Sequence, residues 1–309
     1  MMSHRTRKLC LSTALLGLVL GASACIQNPP KSDEPSSAAH TGSSDSTPST
    51  MDRTDPPTAI DPGSRRLSRA ELSGFGTDAS DEINSTSITS LDVRTGRGTV
   101  TITGDPMARS IRASAKIRSW AETYPEAERI VREIAIRFIA RDTENPSLIV
   151  PEPDLTTANQ DYECDLTIVL PPSVRVSLDN NGGDAAITGL LSGLKVVHNG
   201  GELTIQRVQG GVEVDNRGTA AHLTELTGLV QVRDRSGDLT IGFVTGEVLV
   251  EDNEGDLTIH SVTGNVTARN NTGTPRFQNI DGDLTLVGIA HNRAVVEGVS
   301  GSVVYPSSH

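Results

Sequence analysis

From Gly183 onward, apolar residues recur at four fixed positions every eighteen residues. Each position gives a column of six equivalent residues along the chain. The columns are Ile187, Ile205, Leu223, Ile241, Ile259 and Phe277; Leu190, Val208, Leu226, Val244, Val262 and Ile280; Leu194, Val212, Val230, Val248, Val266 and Leu284; and Val196, Val214, Val232, Val250, Ala268 and Leu286. A repeat of this length indicates a unit that buries its apolar side by stacking on copies of itself.

Within each unit, apolar residues two apart, such as Val248 and Val250, indicate strands and not helices. Glycines interrupt the units at two places, as at Gly237 and Gly246. We therefore predict an all-β protein in which residues 183–305 form a single parallel β-solenoid (β-helix) of 18-residue coils. Short strands joined by glycine-containing turns would stack about 4.8 Å apart.

One outward column of the predicted solenoid carries charges of alternating sign. Its members are Asp215, Arg233, Glu251 and Arg269. Opposite charges on neighbouring strands contribute about a few tenths of a kcal/mol each. Because a slip of one coil would place like charges together, we predict that this column favours the correct register.

Residues 67–182 lack the eighteen-residue period and form a β-rich N-terminal part. From about Asn84 apolar and polar residues alternate, and SITSLDVRTGRGTVTITGD predicts two strands and a turn. Thr123 and Glu126 have the spacing of a capping box, followed by the apolar residues Ala127, Ile130 and Val131. This pattern predicts a short helix at about 123–133. A hairpin is predicted over 136–153, and two strands are predicted around Pro171-Pro172. We expect this irregular β-rich part to cap one end of the solenoid.

The first 24 residues are typical of a signal peptide, with a basic start and the apolar run LCLSTALLGLVL. This run is too short to span a membrane as a mature helix. The small residues GASA before Cys25 resemble a bacterial lipobox, which implies cleavage before Cys25 and lipid on its sulfur. An ordinary secretory signal is the alternative.

Residues 25–66 comprise the lipidated Cys25 and a stretch rich in Ser, Thr, Pro and Asp. This composition predicts a disordered tether, because it has almost nothing to bury. Ile26 follows Cys25, which resembles an outer-membrane sorting signal. We therefore expect a lipid anchor in the cell envelope, at the outer membrane, with the domain facing the periplasm or the surface.

Composition restricts the partners. A formal net charge of -12 disfavours nucleic acid, since phosphate binding requires clustered Lys and Arg. Aromatic residues make up only 3% of the chain, which weakens a sugar-binding site built on stacking platforms. Cys164 is the one thiol left after signal removal and lipidation, so we expect no internal disulfide and a core position for Cys164.

Calcium is the first candidate ligand, because EDNEGD at 251–256 has the appearance of a calcium loop. The glycine-dense turns of calcium-binding nonapeptide repeats are absent from the sequence, and no Glu stands at the twelfth position of an EF-hand loop. Asn216, Asp234, Asp252 and Asn270 instead share one turn column, where Asx side chains bond their own backbone. We expect no metal ion here.

An enzyme is the second alternative. Asp238 and Asp256 share a column, as a carboxylate pair of a polysaccharide-acting β-helix enzyme would. Aspartate after a turn glycine also accepts local backbone hydrogen bonds. The histidines His198, His222, His260 and His291 fall in four different columns, and no G-x-S-x-G motif occurs. We therefore predict no catalytic residue and no cofactor.

A binding face is the third alternative. Thr204, Thr240 and Thr258 form an outward column, interrupted by His222 and ended by Arg276. Threonine suits strands for structural reasons alone. Solenoids also bind partners along extended faces, so these threonines are a candidate ligand face.

The pattern G-D-L-T-I-x-x-V-T-G-x-V at 237–248 and 255–266, with L-P-P-S-V at 170–174, resembles the bacterial "putative adhesin" β-solenoid family of unknown function. The resemblance covers about residues 84–305. It implies a non-enzymatic, adhesin-like structural or binding module of the cell envelope, whose ligand is a protein or polysaccharide. The alternatives are a periplasmic envelope-stress or signalling component that binds a partner protein and, less favoured, a polysaccharide-acting enzyme.

Overall fold

The computed structural model describes residues 66–252, 254–270 and 272–306. The predicted signal peptide, the lipidation site Cys25 and the tether up to residue 65 lie outside these residues. Across the described ranges, no helix has the length and apolar character needed to cross a bilayer.

The part before the repeat contains eight strands and one α-helix. They are β1 (Ser73–Asn84), β2 (Ser90–Thr95), β3 (Val100–Gly104), β4 (Ser110–Ala121), α1 (Tyr124–Glu133), β5 (Arg137–Ile139), β6 (Ser147–Ile149), β7 (Asp161–Leu170) and β8 (Arg175–Asn180). A 3-10 turn at Arg69–Glu71 precedes β1. The predicted strands around Pro171-Pro172 are β7 and β8, and the predicted hairpin is β5 and β6.

The repeat region contains strands that alternate between two sheets. They are β9 (Ala185–Thr188), β10 (Leu194–His198), β11 (Glu202–Gln209), β12 (Val212–Asn216), β13 (Ala220–Thr227), β14 (Val230–Asp234), β15 (Asp238–Thr245), β16 (Val248–Asp252), β17 (Leu257–Thr263), β18 (Val266–Asn270), β19 (Arg276–Asp281), β20 (Leu284–Val287), β21 (Val295–Val299) and β22 (Val303–Val304).

Each coil contributes one strand to each of two eleven-stranded sheets. Sheet A has the order β1-β4-β7-β3-β9-β11-β13-β15-β17-β19-β21, and sheet B has the order β22-β20-β18-β16-β14-β12-β10-β8-β2-β6-β5. Neighbouring strands from β9 to β20 are parallel and in register by eighteen residues, as in the pairing of Ile205 with Leu223 and of Leu223 with Ile241. The last coil is one residue longer, because Phe277 pairs with Val296 and Leu284 with Val303. The predicted parallel β-solenoid is confirmed.

All four predicted apolar columns are buried between the sheets. A fifth buried column lies on sheet A beside them, formed by Ala185, Leu203, Ala221, Leu239 and Leu257. Stacking equivalent residues fills the interior because each side chain contacts the copy above and the copy below, so no coil could bury its apolar side alone.

Parallel stacking begins before the sequence repeat. Strand β2 pairs in parallel with β8, and β3 lies between β7 and β9 in sheet A. Beyond them, β1 and β4 pair in antiparallel fashion, β4 pairs the same way with β7, and β5 and β6 close the end of sheet B. Antiparallel strands therefore cover the first end of the parallel stack, where unpaired strand edges would otherwise be exposed.

Helix α1 packs on this end and buries Ala127, Ile130 and Val131. The helix begins where it is predicted, after Thr123. The capping box itself was wrong, because Thr123 Oγ1 bonds the Glu126 carboxylate at 3.1 Å and makes no hydrogen bond to the backbone of the helix. The proline in the first turn, Pro125, has no N–H to satisfy, which favours a helix start at this point.

The long strands of sheet A bend at one repeated position. Arg207, Glu225, Phe243, Ser261 and Asn279 all have φ between 55° and 58°, in the left-handed region. Gly189 precedes them in the same column with φ of 78°. A bulge with left-handed backbone lets the residues on either side of it both face the core, as Ile241 and Val244 do.

Candidate functional site

Alternation along the strands leaves one outward face on each sheet, and these two faces are the candidate sites. The threonine face is the outward column Thr204, His222, Thr240 and Thr258 of sheet A, and the register of the strands places these residues one above another. Their side chains are half-buried by their neighbours. The structure thus brings Thr204, Thr240 and Thr258 together on one face, and their role as ligand contacts stays a prediction.

The neighbouring column on sheet A holds an aromatic cluster. Gly242 leaves room for the imidazole of His260 in the next coil, and a Cβ built on Gly242 would lie 2.3 Å from His260 Cε1. The ring of Phe243 meets that of His260 edge to face at 5.2 Å between centroids. Phe243 is 60% exposed, so the bulge presents an aromatic ring to solvent.

The outward face of sheet B carries a groove of about 420 Å³, which falls in the size range of ligand-binding clefts. Two rows of outward side chains form its walls: Lys195, Glu213, Gln231, Leu249 and Thr267 on one side, and Val197, Asp215, Arg233 and Glu251 on the other. The backbone of the inward-facing valines between them forms the floor. We call this feature the sheet B groove.

Ion pairs run along both walls of the sheet B groove. Lys195 Nζ lies 2.8 Å from Glu213 Oε1 on one wall, and Arg233 Nε lies 3.1 Å from Glu251 Oε2 on the other. Each pair joins adjacent coils; the Arg233–Glu251 pair belongs to the predicted column of alternating charges, whereas the Lys195–Glu213 pair was not predicted. All four side chains are at least 40% exposed, so the pairs organise the walls and contribute little to stability.

The predicted column differs at Asp215. Its carboxylate is bound by Arg235 from the next coil, at 3.1 Å from Nε and 3.2 Å from Nη2, and not by Arg233. Two parallel N–H donors match the geometry of a carboxylate better than a single contact, which favours Arg235. Arg233 is consequently free to pair with Glu251 alone on that wall.

The two aspartates of the hypothetical carboxylate pair lie at the start of neighbouring sheet A strands. Asp238 Oδ1 accepts a hydrogen bond from the backbone N–H of Asp256 at 3.0 Å. The side chain of Asp184 accepts one from the N–H of Glu202 in the same way at 2.9 Å. This bond gives Asp238 a role in joining coils, and a catalytic role for the pair stays a hypothesis.

Cys164 lies in the core of the N-terminal part, as expected. Burial raises the pKa of its thiol to about 12, with a smaller contribution in the same direction from Asp165. The thiol is therefore protonated at neutral pH and is a poor nucleophile. Within residues 66–252, 254–270 and 272–306 no group of three or more His, Cys, Asp and Glu side chains could hold a metal ion.

The sequence did not predict the sheet B groove, although it identified the charged column that forms one of its walls. The other wall mixes lysine, glutamate, glutamine, leucine and threonine, and such a column has no compositional signature. The signal that could have located the groove is the strand alternation itself. It assigns Lys195 and Val197, and the equivalent residues of every coil, to the same outward face.

No family model matches the chain, and no curated protein matches it. Solved structures are similar to it at low sequence identity. A "putative cell adhesion protein" from Clostridium sporogenes is 11% identical, with 76% of this chain and 100% of that chain covered and a TM-score of 0.28. A "putative adhesin" from Bacteroides fragilis is 14% identical, with 74% and 97% covered and a TM-score of 0.36.

A "putative adhesin" from Parabacteroides merdae is 11% identical, with 75% and 97% covered and a TM-score of 0.28. The word adhesin in the names of the two Bacteroides and Parabacteroides proteins is also the name of the family that the repeat resembles. Similarity at this level does not transfer a ligand or an activity to this chain.

Proposed function

We propose that this protein is a non-enzymatic, adhesin-like binding module of the bacterial cell envelope, and that the sheet B groove holds an extended segment of a partner protein. The observation that carries the proposal is the groove itself, which spans β10 to β18 with two parallel walls. Solenoids offer such extended surfaces because their repeats place equivalent side chains in straight rows.

The dimensions fit an extended polypeptide. Five neighbouring strands spaced by about 4.8 Å give the groove a length of about 19 Å. An extended segment of about six residues covers the same distance at about 3.3 Å per residue.

The chemistry of the walls fits the same ligand. Charged side chains of both signs line the groove and alternate in sign from Asp215 to Glu251 along one wall, and the half-buried side chains of Val197 and Leu249 provide apolar contact between them. A peptide with alternating charged and apolar side chains would complement these rows. The groove contains no aromatic side chain on which a sugar ring could stack, which favours protein over polysaccharide.

A binding role also suits the carboxylates of the groove. Glu213, Asp215 and Glu251 are each held by a basic side chain, so they are positioned for recognition. A general acid needs a carboxyl group with a raised pKa in reach of a substrate. Asp234, a carboxyl of this part of the solenoid whose pKa is clearly raised, is fully buried in the core and out of reach of a ligand in the groove.

Anchoring is a further part of the proposal. Lipid on Cys25 would fix the chain to the outer membrane, and residues 26–66 would act as a spacer. Forty-one residues reach roughly 120–150 Å when fully extended. Metabolic labelling with an alkyne fatty acid tests this: Cys25→Ser should abolish the label, and label retained on Cys25→Ser would disprove the anchor.

The test of the groove compares two matched variants. Gln231→Trp places a bulky ring in the middle of the sheet B groove, and Thr240→Trp places the same ring on the threonine face. Each full-length variant is checked for an unchanged melting temperature and then used in crosslinking and pull-down from envelope extracts. We expect Gln231→Trp to lose a specifically captured protein at least tenfold and Thr240→Trp to retain it.

The opposite pattern would assign binding to the threonine face, and equal capture by both variants would overturn the proposal. A glycan array probed with the same proteins forms a second arm, in which groove-dependent glycan binding would replace the protein partner by a polysaccharide. Protease treatment of intact cells distinguishes a surface adhesin from a periplasmic signalling component, since only the surface protein would be cleaved.

A further inference from the structure

A column of polar residues lies inside the solenoid, at the last inward position of the short sheet B strands. Its members are Asn180, His198, Asn216, Asp234 and Asp252, all of them 0% exposed. The two inward positions before each of them carry aliphatic side chains, for example Val230 and Val232 before Asp234. The column is therefore enclosed by the apolar core on one side and by the turns on the other.

Side chains of the column bond to each other and to their own turns. Asn216 Oδ1 accepts the N–H of Gly218 at 3.1 Å, while Asn216 Nδ2 donates to Asp234 Oδ1 in the next coil at 3.0 Å. Asp234 Oδ1 also accepts the N–H of Ser236 at 3.3 Å. The Asn216 amide thus accepts a hydrogen bond from its own turn through its oxygen and donates one to the next coil through its nitrogen.

This arrangement is interrupted at Asp234. Its Oδ2 is buried and has no hydrogen-bond partner. In the column, Oδ2 of Asp234 takes the place of the amide nitrogen of Asn216, the atom that donates to the coil above. The residue in that coil is Asp252, in direct register with Asp234 on the parallel strand. An ionised Asp234 would place two buried carboxylates in adjacent coils.

The charged groups around Asp234 do not neutralise it. No ion pair within the described part of the chain involves Asp234, and the guanidinium of Arg235 in the same turn is held by Asp215. Asp238, at the start of the next strand, disfavours ionisation further. His198 lies two coils away and bonds Asn180 and the carbonyl of Gly201.

Burial is the main cause that raises the pKa of Asp234, to about 6, and the hydrogen bonds from Asn216 and the turn N–H groups oppose it. A carboxyl group that holds its proton near neutral pH can act as a donor where an ionised one cannot. Because Oδ2 of Asp234 takes the place of the amide nitrogen of Asn216, a proton on Oδ2 would be donated to the next coil, which holds Asp252.

We propose that Asp234 and Asp252 share one proton inside the solenoid, with the protonated Asp234 carboxyl donating from Oδ2 to the carboxylate of Asp252. The shared proton would join the coils of Asp234 and Asp252 by a hydrogen bond, as the amide of Asn216 joins its own coil to that of Asp234. Loss of the proton at higher pH leaves two like charges in adjacent coils, so the contact between β14 and β16 is sensitive to pH.

The direction of the effect follows from linkage. Asp234 binds its proton more tightly in the folded state than in the unfolded state, where the pKa is 3.8. Its stabilising contribution is therefore complete below about pH 3.8 and is lost as the pH rises through about 6. A shift of this size corresponds to about a hundredfold increase in the unfolding equilibrium constant between pH 4 and pH 7.5.

The test compares the full-length protein with Asp234→Asn in urea unfolding between pH 4 and pH 7.5. Asparagine supplies a permanent donor, so at pH 7.5 the variant should have an unfolding equilibrium constant at least tenfold lower than the original protein. At pH 4 the two constants should agree within about threefold. Comparing the two proteins at each pH removes the contributions of His198 and of the other titrating groups.

Glu247→Gln is the matched control, because it removes one exposed carboxylate from a turn of the same region. It measures how much the loss of one surface carboxylate changes stability at each pH. An Asp234→Asn difference that stays constant between pH 4 and pH 7.5, or that only matches the Glu247→Gln difference, would overturn the proposal.

A second measurement does not depend on any variant folding. Carboxyl carbon-13 NMR of the original protein should show an aspartate titrating near pH 6, and titration of both Asp234 and Asp252 below pH 4.5 would disprove the shared proton. The last experiment compares the melting temperature of the protein in calcium chloride with that in EDTA at pH 7.5. A rise of several degrees in melting temperature that Asp234→Asn abolishes would assign the pair to a cation and overturn the shared proton.

Discussion

Asp238 Oδ1 accepts a hydrogen bond from the backbone N–H of Asp256, one coil further along the chain, at 3.0 Å. The same bond recurs from the N–H of Asp283 to Asn265 Oδ1 at 2.9 Å and from the N–H of Ser302 to Asp283 Oδ1 at 2.8 Å. Both carboxylate and amide side chains make it, before strands of both sheets, so the shared requirement is an acceptor oxygen directly after a turn glycine such as Gly237, Gly264 or Gly282. The relationship explains Asp238 without chemistry on a substrate.

Removing the acceptor should cost stability. We expect Asp238→Ala to lower the free energy of unfolding by about 1 kcal/mol, because the N–H of Asp256 loses its partner. Asp238→Asn should cost less than about 0.5 kcal/mol, since the amide oxygen can accept the same bond. Urea denaturation of both variants checks the difference, and equal losses would show that the charge matters more than the acceptor.

The left-handed bulge offers a stabilising substitution. Glu225 has φ of 58°, a conformation that costs a non-glycine residue about 1 kcal/mol or more. Glu225→Gly should therefore raise the free energy of unfolding by up to about 1 kcal/mol, while the β-branched Glu225→Val should lower it by about 1–2 kcal/mol.

Thr227→Gly is the control for the bulge, because Thr227 is an exposed residue of the same strand outside the positive-φ positions. Glycine there should destabilise by about 1 kcal/mol. Thermal and urea unfolding would contradict the account of the bulge if glycine destabilised both positions equally.

Alanine substitutions at two turn glycines, Gly246 and Gly211, should have very different effects on the free energy of unfolding. Gly246 has φ of 142°, and a Cβ there would lie 2.1 Å from the carbonyl oxygen of Gly228 in the preceding coil. Gly246→Ala should lower the free energy of unfolding by about 2 kcal/mol or more, since either the stacked turns move apart or the backbone is strained.

Gly211 lies at the neighbouring turn position, where we expect alanine to be tolerated. A Cβ on Gly211 would meet the carbonyl oxygen of Leu229 at 3.9 Å, an ordinary contact. Gly211→Ala should change stability by less than about 0.5 kcal/mol. Parallel melting curves of the two alanine variants test the contrast, which fails if Gly211→Ala is the more harmful.

His198 should make the protein sensitive to acid. Burial is the main cause that lowers the pKa of its imidazole, so the unfolded chain takes up this proton at a higher pH than the folded chain does. The stability contributed by neutral His198 is present above about pH 6.5 and is lost as the pH falls below it. His198→Asn should remove this loss, because asparagine fits the amide column without a titrating ring.

The matched control is His222→Asn on the threonine face, where the imidazole side chain is 44% exposed. Urea unfolding of the three proteins between pH 7 and pH 5 should show His198→Asn gaining on both the original protein and His222→Asn as the pH falls. A gain of the same size in both variants would contradict the role of burial.

The repeat made the architecture predictable because every coil has the same pattern of apolar residues and glycines. Ile241, for example, has five equivalents at intervals of eighteen residues, and a column of apolar residues of that length has no satisfactory burial except in a stack. The helix α1 was equally readable, from Pro125 and the apolar residues behind it. Local propensity and periodicity are sufficient for such elements.

Strand β1 was not predicted. Its sequence SGFGTDASDEIN has few apolar residues, and of these only Ile83 becomes buried. Its strand conformation comes from pairing with β4 over twelve residues, a long-range contact that no local pattern encodes. The insertion of β3 between β7 and β9 was hidden for the same reason.

By itself, the sequence determined the coil length, the strands of the repeat and four apolar columns of its core, because burial in a stack imposes a strict period on them. Tertiary structure alone decided what lies side by side across coils: the walls of the sheet B groove, the choice of Arg235 over Arg233 as partner of Asp215, and the contact of Asn216 with Asp234. These depend on side-chain geometry between strands about 4.8 Å apart, and no single coil carries that information.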